Sequence, residues 1–217
     1  MIRSWIHKPQ INKDDPESLF FNSIKDSCKI IFDVGAREDS IYLDFHGDVH
    51  YFEPVAEFLN NLEQQPRKNT NAFFNPFGLG ESHQSLFYYP TYQSFFDRVK
   101  SCKISDEKNK MILTVKPASE YINANNIQHI DFVKIDTEGY EYNVLKGFGD
   151  SLHKVRILQF EYGGTYLDSN TTLRQVLDYL EQYGFTRFFY LKSEGLVPLV
   201  DRNDHYQYSN IVCLRAV

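Results

Sequence analysis

The sequence is poor in cysteine, with only Cys28, Cys102 and Cys213 in 217 residues. They lie far apart and form no C-x-x-C pair. That spacing excludes a disulfide framework and a cysteine-built zinc site, so all three are expected to be reduced and structural. No run approaches the roughly 18–20 apolar residues that a membrane span needs, so no membrane partner is expected. MIRSWIHKPQ has no apolar stretch of the signal-peptide kind, and a soluble, cytoplasmic protein is the expectation. Basic charge is also scarce, the formal net charge being −6. A binder of phosphate backbones would carry a basic stripe, so no nucleic-acid partner is expected. Repeats, low-complexity tracts and Gly/Ser-rich linkers are missing as well, which argues against solenoids and strings of domains.

What the sequence does hold is core material: 42% of residues are hydrophobic and 16% aromatic. That is enough for one domain over residues 1–217. In DDPESLFFNSIKDS, Asp15 is a candidate N-cap and Pro16 fits the first helical position. With Leu19, Phe20 and Ile24 on one side, this predicts an opening helix within an N-terminal extension over residues 1–27. KIIFDV is a continuous apolar run, the pattern of a strand covered on both faces. DVHYFEP reads as a second strand. Val55, Phe58, Leu59 and Leu62 then follow helical spacing from Pro54 onward. NAFFNPFG is a third strand, and SCKISDEKNK a loop.

The second half alternates more plainly. HIDFVKID is a strand, EYNVLKG a helix stopping near Gly147 and Gly149, and VRILQFEYG another strand. Leu173, Val176, Leu177, Leu180 and Tyr183 make one helical face that ends at Gly184. TRFFYL and SNIVCLRAV are the last strands, a pair expected at an antiparallel edge. The whole pattern predicts a doubly wound α/β sheet with right-handed crossovers.

In such sheets ligands lie beyond the carboxyl ends of the strands, beside the first. The turn from Asp33 to Ser40 therefore falls at the expected cofactor site. Glu53 follows Asp33 by 20 positions and ends the second strand, where a carboxylate can accept hydrogen bonds from both hydroxyls of a ribose.

The segment DFVKIDTEGYEYNVLKGFGDSL resembles the signature of the FkbM-type methyltransferase family. There, an apolar strand enters K-x-D-x-E-G and a short helix of the form x-E-x-x-V-L-x-G follows. Lys134, Asp136, Glu138, Gly139, Glu141, Val144, Leu145 and Gly147 stand in register with it. FDVGA, YFEP, NPFGLGES and ILQFEYGG resemble further family segments. The first 25 or so residues and residues 82–113 have no clear counterpart, the latter reading as a lid or insertion. The resemblance implies a Rossmann-like class I methyltransferase fold: a mostly parallel twisted sheet, helices on both faces, and an antiparallel last strand. It also implies S-adenosyl-L-methionine as cofactor and a hydroxyl on a sugar, glycan or related small metabolite as methyl acceptor. In the family the first motif continues with Asn and a further Gly. Here Arg37 and Asp39 stand in those places, so side chains crowd the approach to the cofactor.

For methyl transfer the protein must position an oxygen nucleophile and remove its proton. Asp136 and Glu138 are the candidate catalytic groups, with Lys134 and Glu161 as substrate-orienting ones. Asp33, Gly35, Ala36, Glu53, Pro54 and Asn75 are the candidate cofactor residues. Each has a structural alternative. Glu138 suits the first turn of a helix, Glu141 suits a solvated or capping position, Lys134 suits an ion pair with Asp136 or Glu161, and Asn75 suits a turn at Pro76. His46 and His50 are too far apart in an extended segment to share an ion. No second carboxylate is evident beside Asp136, so no metal is expected. His205 is read as a surface residue, with a base over the site as the alternative. The aromatic stretch SLFYYPTYQSFFDR is either a lid over the acceptor or a packing cluster that includes a homodimer contact. An O-methyltransferase is the leading function. The alternative is a non-catalytic Rossmann-like binding module with a degenerate cofactor loop.

Overall fold

The computed structural model describes residues 15–103 and 105–215. Residues 1–14 of the expected N-terminal extension lie outside the described residues. In chain order the elements are α1 (Pro16–Ile24), β1 (Ile30–Val34), β2 (Asp48–Phe52), α2 (Ala56–Glu63), β3 (Asn71–Asn75) and β4 (Gly78–Leu79). Next come β5 (Gln84–Tyr88), β6 (Met111–Lys116), α3 (Ala118–Ala124), β7 (Ile130–Ile135), α4 (Glu141–Phe148) and β8 (Val155–Tyr162). The run closes with α5 (Thr165–Ser169), α6 (Leu173–Gln182), β9 (Phe185–Lys192), β10 (Gly195–Pro198) and β11 (Ser209–Arg215).

Eight strands form the main sheet in the order β10-β9-β11-β8-β7-β1-β2-β3. From β3 to β8 all pairings are parallel, while β11 runs antiparallel to both of its neighbours. This is the Rossmann-like sheet with an antiparallel last strand. The expected edge pair is corrected in one respect: β11 sits inside the sheet, and β9 and the unforeseen hairpin partner β10 form the edge. The reason is burial, since Ile211, Val212 and Cys213 are fully buried and need a neighbour on each side. A second sheet, β4-β6-β5, brackets the segment without family counterpart, β5 near its start and β6 at its end.

The opening helix forms as its residues dictate. Asp15 accepts from the N–H groups of Glu17 and Ser18, and Pro16 occupies the first turn. Its buried face is Phe20 and Phe21, whereas Leu19 is 47% exposed, a correction to the expected stripe. Two cores result, one on each side of the sheet. Phe32, Val133, Ile135, Leu158 and Phe160 pack beneath α3, α4 and α6. Ile31, Val49, Phe132 and Val212 pack beneath α1 and the short 3-10 turn Ile41–Asp44.

Alternation along the strands has a consequence on the α1 side. Asp33, Lys134 and Gln159 are neighbours across β1, β7 and β8, and Glu161 pairs in register with Asn210. A polar row therefore crosses the carboxyl end of the sheet, one step beyond the apolar residues of the same face.

Candidate active site

Gly35 shapes the floor. Its φ is +84°, and a Cβ there would lie 1.8 Å from the carbonyl oxygen of Asp136. Only a residue without a side chain lets the turn after β1 cross the turn after β7 this closely. The crossing is fixed by Gly35 N–H donating to Phe52 O at 2.9 Å and Asp136 N–H donating to Val34 O at 2.9 Å.

Two cavities open on either side of this turn, and Gly35, Arg37 and Asp136 border both. The first, of about 140 Å³, is lined also by Glu53, Pro54, Tyr88, Gln93, Phe95 and Glu138. The second, of about 230 Å³, reaches Glu17, Asp33, Ser40, Tyr42 and Lys134. Seven of the sequence candidates thus meet here. Ala36 and Asn75 line neither. Ala36 packs in the core under α1, and Asn75 donates its amide to the carbonyls of Tyr51 (2.9 Å) and Phe73 (3.2 Å).

Glu53 is buried, and Val55 N–H donates to its Oε1 at 2.7 Å. Burial pushes its carboxyl up to about 7, against the opposing pull of Arg37 and that N–H. Arg37 occupies the side facing the cavity. Its Nε lies 4.0 Å from Glu53 Oε2, its Nη2 donates to Gln93 at 2.8 Å, and its guanidinium carbon is 3.7 Å from the centre of the Phe58 ring. On the other side of Gly35, Asp33 accepts from Ser40 Oγ at 2.6 Å, and burial raises it to about 7.

Lys134 is buried between Glu17 Oε2 at 3.0 Å and Asp136 Oδ2 at 3.2 Å. Burial favours the neutral amine, but these two carboxylates outweigh it and hold the lysine protonated. The partner beside Asp136 is therefore Glu17, not Glu161. Glu161 lies next to Asp136 instead. Burial and then the Asp136 charge raise Glu161 to about 10. Asp136 opposes its own burial through Lys134 and a hydrogen bond from Glu161, and it sits below the usual carboxylate range. The two neighbouring carboxyls are thus pushed apart in acidity, Glu161 upward and Asp136 downward.

Glu138 does not cap α4. Arg98, from the segment between β5 and β6, binds its carboxylate, and Ser94 Oγ donates to its carbonyl at 2.7 Å. Its φ of +54° is the left-handed conformation, unusual for a side-chain-bearing residue and a mark of strain held by the surroundings. Glu141 is corrected from solvated to buried, at 1% exposure. Its Oε1 accepts from Thr137 N, Thr137 Oγ1 and Gly139 N, and it staples the signature turn. Contrary to expectation, carboxylates do converge on Asp136: one oxygen each from Asp136, Glu138 and Glu161 lie within 4.8 Å of one another. Lys134 already pairs with Asp136, and Arg98 with Glu138.

Other expectations fall away from the site. His50 is buried on β2 with Nδ1 2.7 Å from Tyr121 Oη, and burial lowers it to about 4. His205 contacts Tyr190 Oη at 3.1 Å and packs on Tyr162. Cys28 and Cys213 are buried, but Cys102 is exposed and is no part of the core. Within the aromatic stretch, Tyr88 and Phe95 pack against one another and also wall the first cavity.

The Methyltransferase FkbM domain matches residues 33–187. The chain belongs to this family. It is accordingly an S-adenosylmethionine-dependent methyltransferase by family, on the fold that the sheet order shows. No curated protein matches the chain. Among solved structures, an S-adenosylmethionine-dependent O-methyltransferase from Thermotoga maritima is 13% identical, covering 99% of this chain and 68% of its own, with a TM-score of 0.48. A TehB-like methyltransferase from Corynebacterium glutamicum is 10% identical, covering 95% and 100%, with a TM-score of 0.47. The plantazolicin methyltransferase BpumL, solved with SAH, is 10% identical, covering 93% and 91%, also at 0.47.

The residues of this FkbM domain suit the family's cofactor in chemistry. Glu53 has the carboxylate a ribose diol would call for, with Arg37 against its Oε2, and acids and Lys134 surround the second cavity, where an amino-acid end would find partners. A nucleoside of this size needs roughly 300 Å³ or more. Neither cavity alone reaches that; their volumes taken together exceed it, with Gly35, Arg37 and Asp136 bordering both. Among the described residues no helix is long and apolar enough to cross a membrane.

Proposed function

We propose that the protein transfers a methyl group from S-adenosylmethionine to a hydroxyl of a sugar, glycan or related small metabolite. The observation that carries this reading is the placement of Glu53 and Asp136 on one cavity, beyond the carboxyl ends of β2 and β7, with Gly35 between them. The bound cofactor supplies an electrophilic methyl, so the protein's tasks are holding and deprotonating the acceptor.

Asp136 is held below the usual carboxylate range, about a third exposed, and borders both cavities. It orients the hydroxyl and accepts its proton as the hydroxyl becomes more acidic along the reaction. Glu161, holding a proton, donates toward Asp136 and keeps that carboxylate in place. Lys134 fixes its other side. Glu138, tied to Arg98, anchors the segment between β5 and β6 over the cavity and is the weaker candidate for the base. Pro54 and Gly35 shape the walls of the cofactor site.

Arg37 favours one rival reading, in which the altered loop has closed the site and the fold serves only to bind something else. Calorimetry separates the two. Under the enzyme reading S-adenosylmethionine and S-adenosylhomocysteine both bind, and labelled methyl transfer onto a panel of sugars, nucleotide-sugars and glycans identifies the acceptor. No binding of either at millimolar concentration leaves the closed-site reading.

A further inference from the structure

Next to the second cavity, which Glu17 borders, runs the segment between β10 and β11. Tyr162, at the end of β8, holds it. The Tyr162 hydroxyl accepts from the N–H groups of His205 at 3.1 Å and Tyr206 at 3.0 Å, and donates to Asp204 Oδ1 at 3.1 Å. Asp204 also accepts from Leu173 N–H at 2.7 Å, at the start of α6. A segment tied down this way delivers Tyr208 to a fixed position.

Tyr208 is 67% exposed, yet its hydroxyl points inward. Asn210 Nδ2 donates to that oxygen at 3.2 Å, and the same amide donates to Glu17 Oε1 at 2.8 Å. Through Asn210 the tip stands beside Glu17, and the phenol is raised above its ordinary range by burial and then by Glu161, Glu17 and Asp136. On the backbone side, a methyl on Gly163 would come within 3.5 Å of Tyr208 Cα, which places the residue directly over the end of β8. The polar end is anchored and the ring face is open.

We propose that Tyr208 is the platform for the methyl acceptor: the C–H face of a neutral hydroxylated ring stacks on it while the ring's hydroxyls turn toward Asp136 and Glu161. This rests on the methyltransferase reading above. Charge selects a neutral ring over a cationic amine. Glu17 and Asp136 are both paired with Lys134, and Glu138 is paired with Arg98. An ammonium would meet an aromatic face but carboxylates already engaged, whereas a sugar asks only for a face and hydrogen-bond partners. Tyr208 lies outside residues 33–187, so this role belongs to the chain's own later segment.

Saturation-transfer NMR with the methyl glycosides of glucose, galactose and mannose, in the presence of S-adenosylhomocysteine, tests the proposal. The wild-type protein is expected to bind at least one of them through its ring C–H groups. Tyr208→Ala should weaken that binding roughly tenfold, and Tyr208→Phe, which keeps the face, by less than about threefold. Because the side chain is largely exposed, Tyr208→Ala should keep the melting temperature and the affinity for S-adenosylhomocysteine. Equal glycoside binding by Tyr208→Ala overturns the proposal, and so does a wild-type protein that binds S-adenosylhomocysteine but none of the glycosides. Failure of S-adenosylhomocysteine to bind at all removes the underlying reading, and this one with it.

Discussion

Arg37 reaches across the head of the site to Glu53, Nε to Oε2 at 4.0 Å, while its guanidinium lies over Phe58. It stands where the hydroxyls of a ribose would meet that carboxylate. Cofactor binding must therefore displace a cation–π contact and a partly buried ion pair, together worth about 1 kcal/mol. Arg37→Ala is expected to tighten S-adenosylhomocysteine about fivefold by calorimetry, at a pH above the Glu53 titration. Weaker binding by the variant would show that Arg37 holds the cofactor rather than competing with it.

Glu53 makes affinity depend on pH. Its carboxyl is raised from 4.5 to about 7 in the folded protein. Only the ionised form accepts from both hydroxyls, so affinity should rise as pH passes through about 7 and lose that dependence in Glu53→Gln. The loss of charge-assisted hydrogen bonds should cost about 1.5–3 kcal/mol above that pH.

The stability of the ligand-free protein should run the other way. A carboxyl raised on folding binds more protons folded than unfolded. Its stabilising contribution is thus full below 4.5 and is lost as pH rises through about 7. Asp33 and Glu141 are raised to about 7 as well and add to the same slope. Thermal scans should show the melting temperature falling across this window, less steeply in Glu53→Gln. A rise instead would contradict the burial of these acids.

Asp136→Asn should leave S-adenosylhomocysteine binding within about threefold and lower methyl transfer by roughly 10²–10⁴ once an acceptor is in hand. Single-turnover transfer of labelled methyl measures it. An unchanged rate would take Asp136 out of the proton-accepting role.

Glu17→Gln removes one of the two anions around buried Lys134. A hydrogen bond to a charged group is worth about 1.5–3 kcal/mol, and denaturant unfolding should show a loss of that order. A neutral result would mean that α1 rests on the sheet through Phe20 and Phe21 alone.

Much of the sheet was legible because its strands are buried on both faces. IIFDV, IDFVKI and VRILQFEY are rich in Ile, Val, Leu and Phe and allow few readings other than buried strands. Position along those strands was enough to bring Gly35, Glu53, Asp136 and Glu138 to one place. What sequence did not disclose is what faces them. Arg98 meets Glu138 across 40 positions and Lys134 meets Glu17 across more than a hundred, with no periodicity linking either pair. Glu17 looks like an ordinary acid in a first helical turn. Tyr208 sits in a segment with no repeating pattern, and its importance comes from Tyr162 and Asn210, which fix its neighbours and its tip.

The insertion of β11 between β8 and β9 sets an order of assembly. During synthesis β9 and β10 emerge before the strand that must join them to β8, so two of the eight strands wait for residues 209–215. Asn210 belongs to that strand and Tyr208 immediately precedes it, so the platform proposed for the acceptor takes its place only when β9 and β10 do.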